Sequence, residues 1–268
     1  MNASDALIKT LVSNGLEVIF ANPGTSEMHL VASIDNNPEI RPVLGLFEGV
    51  VTGAADGYAR MAEKSAANLL HLGPGLGNGF ANIHNAKKAR SPLLNIVGDH
   101  ATYHLKHNAP LTSDLDNLAK SSSDWVGRSK SSEDICDLAN IAWQQANSLP
   151  GQISTLIVPA DSAWGEFKGN IPKPLKKEEF ASIDEQLIPN SAEVLKVDNS
   201  ILYLGGKFLN EECVNLAAKI ASKTGCRLVT DTFISRIRRG EGLPVLEQIP
   251  YFAESAADFL KDSSGIVF

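Results

Sequence analysis

Short apolar runs that end in glycine or proline turns alternate with helical stretches along the first 165 residues, and this alternation narrows the fold more than any other feature of the chain. Helical residues 5–14, with Ser4 or Asp5 as the cap, lead to the run Leu16–Phe20, which stops at Asn22-Pro23-Gly24. A second helical pattern at 26–36 precedes the run Arg41–Phe47, and a helix follows from Glu48 to about Ala62. Ala66–Leu72 comes next, with a Gly-rich turn at 73–79, a helix at 80–89 and the run Pro92–Gly98. Helix 114–119, a short strand near Trp125, helix 132–147 and the run Ile153–Val158 complete the series. Repeated β-α-β units predict an α/β fold: a doubly wound, mainly parallel sheet with helices on both faces.

Residues 166–190 have the composition of a linker, with Pro172, Pro174, Pro189 and the run Lys-Lys-Glu-Glu at 176–179. A second α/β unit is expected over 191–268: strand Ser200–Leu204, the Gly205-Gly206 turn, helix 210–224, strand Arg227–Thr230 and helix 252–261. Gly265-Ile-Val-Phe268 resembles a buried strand, so this second domain is expected to be incomplete. With 24 Lys+Arg against 31 Asp+Glu the chain carries a net charge of −7, which argues against a nucleic-acid partner. Its three cysteines are widely spaced and form no CxxC, as suits a reducing, cytoplasmic setting. The N-terminus lacks the pattern of a secretory signal, and no apolar run approaches membrane-spanning length.

In open α/β sheets ligands gather beyond the carboxyl ends of the strands, and three such ends stand out. Asn22-Pro23-Gly24-Thr25-Ser26-Glu27 is a tight turn into a helix. Its backbone N–H groups could hold an anion or a polar ligand edge, or Thr25 or Ser26 could simply cap the helix. Glu48 sits among Leu44, Leu46, Phe47, Gly49, Val50 and Val51, where poor solvation would raise its pKa toward proton exchange at neutral pH. The plain alternative is an acidic residue in a first helical turn, favoured by the macrodipole. His71-Leu-Gly-Pro-Gly-Leu-Gly-Asn-Gly79 invites a dinucleotide-binding reading. Both G-x-G-x-x-G frames fail, at Asn78 and at Phe80, which leaves a turn whose backbone lies against a flat ligand. His71 is then either a strand-end histidine or a catalytic one. His100, His104 and His107 could meet one metal if helical, but no HExxH or acidic partner accompanies them, so no metal site is assigned.

Taken in order, Asn22–Glu27, the string Glu48-Gly-Val-Val-Thr-Gly-Ala-Ala-Asp-Gly-Tyr-Ala-Arg60 and Gly73-Pro-Gly75 with Asn78 resemble the pyrimidine-binding (PYR) domain of thiamine diphosphate enzymes. The likeness is strongest to acetolactate synthase large subunits and benzoylformate-decarboxylase-like relatives. It makes residues 1–165 a PYR domain, 166–190 a linker, and 191–268 the start of a central domain, with Leu204-Gly-Gly206 and Thr230-Asp-Thr232 among the matching segments. The resemblance implies that Glu48 hydrogen-bonds N1′ of the cofactor's aminopyrimidine and so promotes loss of the thiazolium C2 proton. Pro23, Gly24, Thr25, Gly73, Gly75 and Asn78 would complete the cofactor site, with Thr25, Ser26, His71, His104 and His107 on the substrate side. The implied reaction is decarboxylation of a 2-oxo acid with carboligation. His71, placed as the active-site histidine of the decarboxylases is placed, and Thr25, in the position of their serine, keep simple decarboxylation open.

The family binds the diphosphate through Mg²⁺ in a separate domain marked by Gly-Asp-Gly, a string this sequence lacks. The implied Mg²⁺ therefore belongs to another domain, either on a longer polypeptide or on a second subunit of a split enzyme. The resemblance also implies a dimer or tetramer, with the Glu48 face and helix 49–59 at the interface. FAD, held by some acetolactate synthases in the central domain, is left open by so short a stretch. A nucleotide binder or a non-catalytic interaction module are the competing classes.

Overall fold

The computed structural model describes residues 1–176, 180–240 and 242–268, so residues 177–179 of the Lys-Lys-Glu-Glu run lie outside the described residues. The chain divides into two compact units, Met1–Glu179 and Phe180–Phe268. In the first, helix α1 (Ala3–Ser13) is followed by β1 (Val18–Asn22), α2 (Met28–Asp35), β2 (Arg41–Leu44), α3 (Glu48–Ala62), β3 (Ala66–His71), α4 (Leu72–Lys88) and β4 (Leu93–Asp99). Then come α5 (Leu115–Ser122), β5 (Trp125–Arg128), α6 (Ile135–Asn147), β6 (Ile153–Pro159) and α7 (Ala160–Trp164). The six strands form one sheet in the order β2-β1-β3-β4-β6-β5, and every neighbouring pair is parallel.

Alternation along the central strands builds two separate cores. Ala67, Leu69, Leu94, Ile96, Leu156 and Val158 point to the face covered by α1, α2, α6 and α7. Ala66, Leu70, Leu93, Val97, Ile153 and Ile157 point to the face covered by α3, α4 and α5. A strand buried on both faces has no polar side to show, which is why these runs are almost continuously apolar. The exception is a buried polar row on the second face. Asn68 donates to Asn95 (2.8 Å), Asn95 donates to the Thr155 hydroxyl (3.1 Å), and Ser123 shares a hydrogen bond with Thr155 (2.7 Å). Asn68, Asn95 and Thr155 are direct register partners across β3, β4 and β6. A one-residue slip would separate them and move every core side chain to the wrong face.

Several local expectations change. Asn2, not Ser4 or Asp5, caps α1, its side chain accepting the Ser4 N–H. The strand from Arg41 ends at Leu44 and lies largely exposed at the sheet edge, short of Phe47. Residues 73–79 are not a turn but the first two turns of α4. Leu72, with φ +53°, bends the chain directly from strand to helix, and Pro74 sits in the opening turn, where its missing N–H costs no helical bond.

In the second unit α8 (Leu187–Leu195), β7 (Ile201–Leu204), α9 (Glu211–Thr224), β8 (Arg227–Thr230), β9 (Glu247–Gln248), α10 (Ala253–Leu260) and β10 (Ile266–Val267) form a parallel sheet in the order β10-β7-β8-β9. Helix α8 begins inside the segment read as a linker. Pro189 is its third residue, a position where proline is tolerated, so it does not break the helix. Among the described residues no helix is long and apolar enough to cross a membrane.

Candidate functional site at the carboxyl ends of the strands

The chain leaves β1 through Asn22, whose side-chain amide donates to the carbonyl of Gly45 (2.7 Å) and ties this strand end to the loop before α3. Pro23 then leads to Gly24 and a short 3₁₀ turn, Thr25–Glu27. Neither Thr25 nor Ser26 caps it. The Gly24 N–H donates to the Glu27 carboxylate (2.7 Å), so the turn's amino end is filled by its own acid rather than offered to an anion. Thr25 is exposed and Ser26 half-buried.

Glu27 is the residue that the sequence reading missed. It is fully buried, and its Oε2 also lies 2.7 Å from Nδ1 of His71, the last residue of β3. Among the described residues its Oε1 has no hydrogen-bond partner, and it rests on Gly98 of β4, where a Cβ would stand 1.7 Å away. Gly24 matters equally: a Cβ there would lie 2.4 Å from the His71 ring. Burial pushes the Glu27 carboxyl upward, opposed by the Gly24 N–H and by the charge and hydrogen bond of His71. An acid three residues after a turn glycine is a local helix-start signal, but nothing in the sequence says that it reaches a histidine 44 positions on.

Glu48 opens α3 and is 8% exposed. Its apolar neighbours do not bury it as expected: Leu44, Leu46, Phe47 and Val50 are all exposed, Leu46 at 91%. Burial comes instead from α4. Asn78 donates to Glu48 Oε2 (3.0 Å), and a Cβ on Gly75 would lie 3.3 Å from Oε1. The same Cβ would lie 3.6 Å from Cβ of His71, so Gly75 borders both candidate catalytic residues. The helices approach closely along this line. The Thr52 hydroxyl lies 2.9 Å from the carbonyl of Glu48 and 3.2 Å from that of Gly79, within donating reach of either, and Asn82 donates to that of Gly49 (2.7 Å). Gly73 gives way to Ser113, whose Oγ would lie 2.1 Å from an added Cβ. The glycines of this segment thus serve close approach within a helix, not a turn. The rest of the Glu48–Arg60 string is structural: Asp56 accepts two bonds from Arg60 (2.8 and 2.6 Å) and one from Ser91 (2.5 Å), anchoring α3 beside the start of β4.

His100, His104 and His107 form a ladder of tilted rings, with centroids 5.4 and 5.5 Å apart. His104 and His107 are exposed around a 3₁₀ turn at Leu105–His107, and among the described residues no group of His, Cys, Asp or Glu could hold a metal. The backbone N–H of His100 is fixed by Asp99 (2.8 Å), which also pairs with Arg128 (2.6 Å). Among the described residues no hydrogen bond joins this ladder to Glu48 or His71.

The site therefore offers a buried carboxylate with one oxygen held by Asn78. Its other oxygen has no hydrogen-bond partner among the described residues. One glycine away stands a histidine held at Nδ1. Such a carboxylate fits a flat heteroaromatic ring that presents a protonated nitrogen to it.

Comparison with known proteins bears on that fit. Residues 1–119 match the family model described as thiamine pyrophosphate enzyme, N-terminal TPP binding domain. The Mycobacterium tuberculosis protein IlvX, which carries the name of an acetolactate synthase large subunit, is 46% identical over 257 residues, covering 96% of this chain and 49% of that protein. The benzoylformate decarboxylase of Pseudomonas aeruginosa is 28% identical over 228 residues, covering 81% of this chain and 42% of the relative. A solved thiamine diphosphate-dependent 4-hydroxybenzoylformate decarboxylase from Rhodococcus jostii RHA1 superposes with a TM-score of 0.88 at 23% identity, covering 99% of this chain and 51% of that one, and so shares the fold. The chain spans about half the length of the curated relatives it matches.

Proposed function

Since the chain belongs, through residues 1–119, to the thiamine pyrophosphate enzymes, we propose that it supplies the pyrimidine-holding half of a thiamine diphosphate site that decarboxylates a 2-oxo acid and joins the product to a second carbonyl. One observation carries this reading: the buried Glu48 carboxylate, braced by Asn78 and left open at Oε1 beside Gly75. When bound, the cofactor supplies an acidic ring carbon that acts as nucleophile and electron sink. The protein's part is proton placement and orientation. Glu48 Oε1 would accept a hydrogen bond from the pyrimidine's ring nitrogen, while Asn78 holds the other carboxylate oxygen in place. Pro23, Thr25 and Gly75 would border the ring, and Gly24 and Gly73, whose open sides are taken by His71 and Ser113, would hold the backbone that carries them. His71, Thr25 and Ser26 would line the substrate side, together with His104 and His107 of the exposed turn.

Mg²⁺ and the diphosphate belong, on this reading, to a diphosphate-binding domain of another subunit in a dimer or tetramer. The exposed apolar residues Leu44, Leu46, Phe47 and Val50 beside Glu48 are where such a domain would sit. A second reading, simple decarboxylation without ligation, is favoured by His71, whose ring is held by a buried acid and whose Cβ borders Gly75, as Glu48 does. Product analysis on the complete enzyme separates the two. Acetolactate formed from pyruvate supports ligation; a released aldehyde from an aryl 2-oxo acid, with no ligated product, supports the second. Turnover of neither, with cofactor and Mg²⁺ present, would count against both.

A further inference from the structure

The pair Glu27–His71 has a consequence for which ring nitrogen meets the ligand. We propose that Glu27 is a positioning residue that holds His71 in its Nδ1–H tautomer, so that Nε2 is the ring nitrogen left for substrate. Placing that substrate at His71 rests on the function proposed above; the tautomer itself does not. Glu27 is held in turn by the Gly24 N–H, which reaches the same Oε2 that faces Nδ1, at 2.7 Å in each case. An oxygen already accepting one N–H is set to accept a second from the imidazole. The ring is also gripped by its surroundings. Gly24 lies against Cγ, Nδ1 and Cε1, and Gly98 supports Glu27 from below, so a ring flip would cost the hydrogen bond. With Nδ1–H engaged by Glu27, neutral His71 presents a lone pair at Nε2, and protonated His71 presents an N–H there. The fitting ligand is therefore an acid that gives up or takes back a proton at that point and whose carboxylate can accept from the charged ring.

Nitrogen-15 NMR of the histidine rings in the full chain reads the tautomer without cofactor or activity. The wild type and Glu27→Gln are expected to show Nδ1 protonated, because a carboxamide oxygen can accept the same two N–H groups. Glu27→Ala is expected to shift His71 toward the Nε2–H form. In the complete enzyme Glu27→Ala should lower kcat about 100-fold, Glu27→Gln less, and Glu27→Ala should add nothing to a His71→Ala background. An Nε2–H tautomer in the wild type, an unchanged tautomer in Glu27→Ala, or additive losses would overturn the proposal. Should Glu27→Ala fail to fold, the wild-type tautomer alone decides. Activity lost in Glu48→Gln bears on the thiamine reading and leaves this result untouched.

Discussion

Glu48→Gln in the complete enzyme is expected to lower turnover by about 10²–10⁴-fold, the range in which a positioned proton-transfer group contributes. The substitution is nearly isosteric, and its amide oxygen can still accept from Asn78. The amide nitrogen then occupies the place of Oε1, presenting a donor where the ligand requires an acceptor. Because Oε1 bonds no other described residue, folding loses almost nothing, and the unfolding free energy should move by no more than about 0.5 kcal/mol. Steady-state rates and denaturant midpoints measured together check both halves. Near-normal turnover with an intact fold would remove Glu48 from the chemistry.

Gly98→Ala is expected to destabilise the fold by about 3 kcal/mol, combining overpacking with disruption of the buried Glu27–His71 hydrogen bond. The new methyl would stand 1.7 Å from Glu27 Oε1, and Glu27 cannot withdraw without giving up the Gly24 N–H and His71. Nor can the strand shift freely, since Gly98 is paired with His71 on one side and Val158 on the other. A fall in the thermal midpoint, together with loss of the Nδ1-protonated signal of His71, is the predicted result. An unchanged midpoint would mean that Glu27 has another place to go.

The layered fold was legible because periodicity is a local property. The apolar runs at Ala66–Leu70 and Leu93–Val97 could hardly be anything but strands buried on both faces, and Glu48–Ala62 was readable as a helix from end to end. The glycine segment after His71 was misread for a physical reason. Glycine at 73, 75, 77 and 79 weakens helix propensity, and the helix is held by tertiary contacts the sequence does not display: Leu76, Ile83 and Ala86 buried in the core, and Ser113, Glu48 and Thr52 close against three of the glycines. Glu48 was legible as a candidate, but the cause of its burial was not: sequence neighbours suggested an apolar sheath, whereas α4 provides Asn78 and the bare Gly75. Glu27 was invisible for the same reason, since its partners lie on β3 and β4. Sequence spacing carries no such information until the strand order is known. Ladders such as His100–His104–His107 show the converse, a spacing that suggests chemistry while the structure sets two of the three rings in the open.

The most direct test of the account is a crystal structure of this chain assembled with a diphosphate-binding domain, thiamine diphosphate and Mg²⁺. N1′ of the pyrimidine is expected within about 3 Å of Glu48 Oε1, with Asn78 still on Oε2. A pyrimidine bound elsewhere, or a Glu48 side chain turned toward solvent beside an ordered cofactor, would contradict it.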